Sequence, residues 1–169
     1  MKGADRAYSH LVSSGVEFVT SVPDSALAPL CARIATGGSR PRYVQATHEA
    51  GAIGIAAGMT LAGAKAIVVM ENSGLRTGCE ALARLQLAHG IFICCLISHR
   101  GAFGERHWWG QAHHETMEPL LRLLRFRWRS IHHIDDLPDA LSAAYRTLAS
   151  GQCGSVLIAE PSFTQELCL

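Results

Sequence analysis

Short apolar segments alternate with helical patterns along the whole chain, and this alternation limits the fold more than any other feature. Residues 65–70 and 91–97 are nearly continuous apolar runs, typical of strands buried on both faces of a sheet. Strands are predicted at 17–22, 42–46, 65–70, 91–97, 127–132 and 154–159. Helices are predicted at 4–14, 25–36, 49–63, 75–89, 115–126 and 136–150. The sequence therefore predicts one α/β domain over residues 1–169, a doubly wound, mostly parallel six-stranded sheet with helices on both faces.

The composition is that of a globular protein without a strong charge. Hydrophobic residues make up 49% of the chain and the formal net charge is +1, which argues against a nucleic-acid or anionic-membrane partner. No apolar run is long enough to span a bilayer, and the first residues lack the apolar core of a signal peptide, so a cytoplasmic location is expected. A chain with this hydrophobic content is expected to leave some apolar surface exposed, which favours association with another chain. The six cysteines, without C-x-x-C spacing, are interpreted as small buried thiols.

Polar residues and glycines follow four of the predicted strands. In chain order these turns contain Pro23-Asp24, His48-Glu49, Asn72-Ser73-Gly74 and His99-Arg100. Because the carboxyl ends of parallel strands meet at one edge of the sheet, where open α/β proteins bind ligands, the four turns predict a single site.

Glu49 is the most informative residue of this edge. It opens a predicted helix of Gly, Ala and Ile, in which Gly51, Gly54 and Gly58 leave a small face that another backbone can approach closely. A carboxylate in such apolar surroundings points to a site, although a glutamate in a first helical turn also complements the helix dipole. For His48, beside it, an acid–base role and helix capping both remain open.

These segments together resemble the pyrimidine-binding domain of thiamine-diphosphate enzymes. The resemblance is closest to the α subunit of split sulfopyruvate decarboxylases and the matching half of phosphonopyruvate decarboxylases. It lies in residues 22–25, 48–58, 71–75, 97–101 and 118–121, in the family's order. It implies that Glu49 hydrogen-bonds N1′ of the aminopyrimidine and so promotes deprotonation of thiazolium C2. His48 is a second catalytic candidate because it adjoins Glu49. The residues that it places in the cofactor cleft are Pro23, Asp24, Glu49, Asn72, Ser73 and Gly74.

The resemblance also implies a partner. Thiamine-diphosphate enzymes hold the diphosphate through Mg²⁺ with a Gly-Asp-Gly…Asn motif, and this sequence contains no Gly-Asp-Gly. A separate β subunit is therefore expected to carry the diphosphate-binding domain and most of the Mg²⁺ site, in an α2β2 or larger assembly. The implied function is decarboxylation of a 3-sulfo- or 3-phosphonopyruvate-like acid to an aldehyde and CO2. Two alternatives stay open: a carboligase subunit of the acyloin or acetolactate type, and a non-catalytic homologue of the same fold.

The segment 98–114 is the longest predicted loop and is expected to act as a lid or binding loop. Arg100 could bind a substrate anion in bidentate fashion or pair with Glu105 of the same loop. His99 and His113 are further candidates for substrate binding. The histidines of this loop lack H-x3-H or H-E-x-x-H spacing, so no metal ligand is predicted in this chain. Four arginines at 122, 125, 127 and 129 are interpreted as a solvated face or a subunit contact.

Overall fold

The computed structural model describes residues 2–169. These residues form one parallel sheet of six strands in the order β2-β1-β3-β4-β6-β5. The strands are β1 (Phe18–Ser21), β2 (Arg42–Gln45), β3 (Ala66–Glu71), β4 (Cys94–Ser98), β5 (Phe126–Ile131) and β6 (Gly154–Ala159). Every neighbouring pair is parallel. The predicted doubly wound α/β sheet is thereby confirmed.

Helices follow the strands in alternation. In chain order they are α1 (Gly3–Ser13), α2 (Ala28–Ala35), α3 (Glu49–Leu61), α4 (Gly74–Thr77), α5 (Cys79–Leu82), a π-helical turn (Ala83–Ala88), α6 (Gly110–Leu123), a 3-10 turn (Ile134–Asp136), α7 (Leu137–Ala149) and α8 (Pro161–Glu166). Across residues 2–169, none of the helices combines the length and the apolar composition needed to cross a membrane.

Hydrophobic clusters cover both faces of the sheet. Successive strand side chains point to opposite faces, so Leu96 of β4 packs with α1, α2 and α7 while Ile97 packs with α3 and α6. Cys94 and Cys95 are divided between the faces in the same way, and burial raises the pKa of Cys94 to about 12. The expectation of buried cysteines is wrong for Cys168, which is exposed in the carboxyl-terminal turn, and holds only in part for the half-buried Cys79 and Cys153.

Several predicted boundaries differ from the observed ones. The helix expected from residue 25 begins at Ala28, because the Asp24 carboxylate first closes a turn by accepting the amides of Ala26 and Leu27, both at 3.2 Å. The helix expected at 75–89 is broken at Gly78, where a Cβ would lie 2.4 Å from Ile53 Cδ1 of α3. The strand expected from residue 91 starts only at 94, where pairing with β3 starts.

Candidate active site at the carboxyl edge of the sheet

Glu49, the first residue of α3, lies at the carboxyl edge against the start of α4. Its side chain is half-buried, and a Cβ added to Gly74 would stand 3.0 Å from Glu49 Cγ and 2.6 Å from Met70 Sδ. Only a glycine at position 74 therefore leaves this contact undisturbed. No hydrogen bond or ion pair formed within residues 2–169 engages the Glu49 carboxylate. The Glu49 carboxylate thus takes no part in the polar contacts of residues 2–169, and a ligand-binding role for it stays a prediction.

The glycine face of α3 points outward. Gly51, Gly54 and Gly58 are exposed, and no described atom lies within 4 Å of a Cβ placed on Gly54 or Gly58. The opposite face, with Ala52 and Ile53, is buried against the sheet. The small face predicted from the sequence is therefore left uncovered by residues 2–169.

His48 is the N-cap of α3. Its backbone is extended, and its Nδ1 accepts a hydrogen bond from the amide of Ala50 at 3.2 Å. Of the two roles considered for His48, capping is the one that the structure shows. The ring is exposed and its Nδ1 is an acceptor, so the proton of the neutral ring lies on Nε2. An acid–base role stays a prediction.

The turns after β1 and β3 use their polar side chains to order the backbone. Asn72 is 1% exposed; its Nδ2 donates to the carbonyl of Arg100 at 2.9 Å, and its Oδ1 accepts from the Arg100 amide at 3.3 Å. Asn72 thus joins the ends of β3 and β4, as Asp24 closes the turn after β1. Pro23 is exposed and Ser73 half-buried at the same edge. Contact between these residues and a cofactor stays a prediction.

His113 reaches this edge from α6. Its Nε2 lies 3.2 Å from Glu71 Oε1, and the Arg76 guanidinium contacts its Nδ1. Because a guanidinium can only donate, Nδ1 is the acceptor and Nε2 carries the proton that points to Glu71. Burial lowers the pKa of His113; Glu71 opposes this shift, and the Arg76 and Arg100 guanidinium groups add to it. His113 is therefore neutral at pH 7 and donates a hydrogen bond to Glu71.

Arg100 is paired within its own loop. Its Nε lies 3.2 Å from Glu105 Oε2, and its guanidinium stands 4.7 Å from the centre of the Trp109 ring. The Glu105 carboxylate also accepts backbone N–H groups, and that of His107 contributes most to lowering the pKa of Glu105, against the effect of burial. Of the two alternatives for Arg100, the structure shows the pair with Glu105.

His99 belongs to a separate chain of hydrogen bonds. Its Nδ1 lies 2.8 Å from Glu160 Oε2, and its Nε2 lies 3.0 Å from His114 Nδ1. Glu160 also accepts from the Ser130 hydroxyl at 2.6 Å. The sequence interpretation missed Glu160 and Ser130. Glu160 directly follows β6, so the signal that singled out the other four turns, a polar residue after an apolar strand, could have found it.

In the described part of the chain, no three His, Cys, Asp or Glu side chains come together as metal ligands. The features of this edge are instead an unpaired carboxylate, a neutral imidazole that donates a hydrogen bond, and the uncovered glycine face of α3. In open parallel α/β sheets, this edge is where ligands bind.

Comparison with known proteins identifies the class. Residues 1–103 match the family described as thiamine pyrophosphate enzyme, N-terminal TPP binding domain, and the chain belongs to this family. The resemblance drawn from the sequence motifs is thereby confirmed, and thiamine diphosphate is the cofactor that this family binds.

Matches to individual proteins show which enzymes the chain is similar to. The chain is 33% identical over 112 residues to sulfopyruvate decarboxylase subunit alpha of Methanococcus maripaludis, a match that covers 63% of each chain. It is 31% identical over 154 residues to phosphonopyruvate decarboxylase of Streptomyces viridochromogenes, covering 88% of this chain and 38% of that protein. The match thus spans less than two thirds of either relative. The structure of benzoylformate decarboxylase from Polynucleobacter necessarius shares the fold, with a TM-score of 0.75 over 100% of this chain and 31% of that chain, at 19% identity.

Proposed function

We propose that this chain is the α subunit of a two-chain, thiamine-diphosphate-dependent 2-oxo acid decarboxylase. The substrate class is a 3-sulfo- or 3-phosphonopyruvate-like acid, and the products are an aldehyde and CO2. The observation that carries the proposal is the unpartnered Glu49 carboxylate above Gly74, in a chain of the thiamine pyrophosphate enzyme family. The names of the two decarboxylase relatives support the substrate class.

The residues around Glu49 fit an aminopyrimidine ring. A ring nitrogen needs a carboxylate that is not already engaged, and Glu49 is such a group among residues 2–169. The missing side chain at Gly74 lets Glu49 pack against this turn, and the buried Met70 thioether makes the base of the turn apolar. Apolar surroundings strengthen a charge-assisted hydrogen bond from the ring to Glu49. Bound there, thiamine diphosphate would supply the electron sink for the loss of CO2.

The other site residues have distinct proposed tasks. Neutral His113 donates a hydrogen bond from Nε2 to Glu71 and so holds the Glu71 carboxylate in place at this edge. Pro23, Asp24, Asn72 and Ser73 shape the backbone of the cleft around Gly74. A substrate anion would have to compete with Glu105 for Arg100 and with Glu160 for His99, so both would bind substrate only by exchanging partners.

The proposal includes a β subunit with a Gly-Asp-Gly…Asn motif that binds the diphosphate and Mg²⁺. The word alpha in the name of the M. maripaludis relative supports a partner of this kind. Two exposed features are available for such contacts: the glycine face of α3 and the loop tip with Phe103 and Trp108, of which Trp108 is 86% exposed. An α2β2 or larger assembly in the cytoplasm belongs to the same proposal.

Co-purification with the candidate β subunit tests the function. With thiamine diphosphate and Mg²⁺, CO2 release from sulfopyruvate or phosphonopyruvate should require both chains and exceed release from pyruvate. Glu49→Gln should abolish turnover without preventing assembly. Glu80→Gln is the matched control, since Glu80 is exposed and Arg84 is its only ion-pair partner within residues 2–169.

Three results would count against parts of the proposal. Substantial turnover by Glu49→Gln would remove Glu49 from the mechanism. Acyloin or acetolactate products in place of free aldehyde would favour the carboligase alternative. A stable, cofactor-loaded complex without any turnover would favour the non-catalytic homologue.

A further inference from the structure

A second cavity lies at the carboxyl edge, between the loop of residues 99–109 and α8. Its volume is about 430 Å³, and it is lined by Ser98, Arg100, Arg106, His107 and Gln165 among others. Ser98 shares its side of β4 with Leu96, which packs with α1, α2 and α7, whereas α3 with Glu49 covers the other side. The cavity therefore opens on the side of the sheet away from α3, and it includes His99 and Arg100, the two loop residues considered above for substrate binding.

A buried hydroxyl in the cavity wall lacks a partner. Ser98 is 1% exposed, and its Oγ forms no hydrogen bond with any group in residues 2–169. Buried polar atoms are nearly always paired, so an unpaired one beside a cavity calls for a ligand to complete it. The Ser98 hydroxyl can donate one hydrogen bond to such a ligand.

The acidic side chain of the cavity is already fully engaged. Glu105 accepts the amides of Gly101, Arg106 and His107 and pairs with Arg100. No carboxylate within residues 2–169 forms an ion pair with the Arg106 guanidinium, which leaves one positive charge uncompensated at the cavity.

The remaining polar groups of the cavity are mainly donors. The His107 ring and the Gln165 amide are exposed, and within residues 2–169 neither side chain forms a hydrogen bond. Together with Ser98 and Arg106 they offer a hydroxyl, a guanidinium, an imidazole and an amide from several directions. Such a set suits a group with several anionic oxygens.

We propose that this cavity binds a tetrahedral oxyanion, either as free phosphate or as the phosphonate or sulfonate end of a small metabolite. Ser98 and Arg106 are the principal donors, and Arg100 remains paired with Glu105. The cavity is larger than a phosphate ion, which leaves space for a small organic remainder. The proposal does not depend on the decarboxylase function, because its principal donors, Ser98 and Arg106, have no proposed part in cofactor or substrate binding.

Binding to the purified full-length chain tests the proposal without any cofactor. Inorganic phosphate and methylphosphonate are titrated at constant ionic strength by calorimetry, and saturable 1:1 binding with Kd of about 1 mM or tighter is expected. Arg106→Gln should weaken binding at least about tenfold, and Ser98→Ala about three- to tenfold. Ser98→Ala should leave the fold intact by circular dichroism, because no hydrogen bond is lost.

Two controls separate this site from general charge effects and from the Glu49 site. Arg127→Gln removes an exposed arginine from β5, and Glu49→Gln alters the other site; both should bind phosphate as the parent does. Tighter binding of methylphosphonate would indicate the end group of a metabolite, and tighter binding of phosphate the free ion; both support the site. Three results would overturn the proposed oxyanion site: phosphate binding that does not saturate, full binding by both Arg106→Gln and Ser98→Ala, or a loss of binding in Arg127→Gln as large as in Arg106→Gln.

Discussion

Replacing Glu105 with glutamine is expected to loosen the loop between β4 and α6, because one carboxylate holds most of it together. Its Oε1 accepts the amides of Arg106 at 2.9 Å and His107 at 3.0 Å. Its Oε2 accepts the amide of Gly101 at 3.3 Å and lies 3.2 Å from Arg100 Nε. Glutamine keeps one oxygen, so at least one of the three backbone N–H groups would face an NH2 group and lose its acceptor, and the ion pair with Arg100 would be lost.

The size of the effect follows from burial. The side chains of Arg100 and Glu105 are 20% and 11% exposed, so this ion pair is more buried than a surface pair but less buried than one in the core. Unit charges at this distance attract by about 5 kcal/mol at an effective dielectric constant of about 20, before desolvation is subtracted. Breaking an exposed pair costs about 0–1 kcal/mol and breaking a buried one about 3–5 kcal/mol. We expect Glu105→Gln to destabilise the loop by about 2–4 kcal/mol.

Hydrogen exchange is the appropriate assay, because a surface loop can open without unfolding the domain. The amides of Gly101, Arg106 and His107 should exchange about 30- to 1,000-fold faster in Glu105→Gln, while the amides of β3 and β4 should be little changed. A urea unfolding curve should show a smaller global change than the loop does, since the opened loop limits the loss.

The control is Glu80→Gln, which breaks an exposed pair with Arg84 one helical turn away and should cost at most about 0.5 kcal/mol. Acid provides an independent check. Since the folded chain lowers the pKa of Glu105, its stabilisation is present above the ordinary glutamate pKa and is lost as pH falls through the lowered value. Unchanged exchange of the loop amides in Glu105→Gln would refute the reasoning, as would an equal effect of Glu80→Gln.

Three further predictions concern the Glu49 edge. Gly74→Ala places a Cβ against Met70 and Glu49, so it should lower the free energy of unfolding in urea by about 1–3 kcal/mol. It should also lower the affinity of the assembled enzyme for thiamine diphosphate. An unchanged affinity would contradict the proposed binding of the aminopyrimidine ring beside Glu49. Asn72→Ala leaves the Arg100 amide and carbonyl unpaired and should cost about 1–3 kcal/mol by the same assay. The folded state lowers the pKa of His113, so below about pH 6.5 the ring takes up a proton more readily in the unfolded chain than in the folded one. The free energy of unfolding should therefore decrease as the pH falls below this value. In His113→Gln, this part of the difference between about pH 5.5 and about pH 7 should be absent.

The segment after β4 contains a helix boundary that local sequence patterns do not predict. Residues 98–114 were expected to be a loop, because they carry no apolar period, yet α6 begins at Gly110. Gly110 is buried against Glu105, where a Cβ would stand 2.6 Å from Glu105 Cγ, so a contact inside the folded loop decides where the helix starts. α8 was missed because its six residues are too few to show a helical period. The strand predicted from residue 91 is shorter because pairing with β3 begins only at Cys94.

The sequence by itself determined the α/β class, the parallel order of strand and helix, and the meeting of four polar turns at one edge with Glu49 among them. Each of these follows from local patterns: apolar strands, glycine-rich turns and helix starts. Only the tertiary structure decided which polar groups are engaged and which remain open. His99 pairs with Glu160, 61 residues away, and Arg100 turns to Glu105, while Glu49 keeps its carboxylate unpaired within residues 2–169. Hydrogen-bond partners depend on which loops come within about 3 Å of each other, and that is set by the packing of the whole domain.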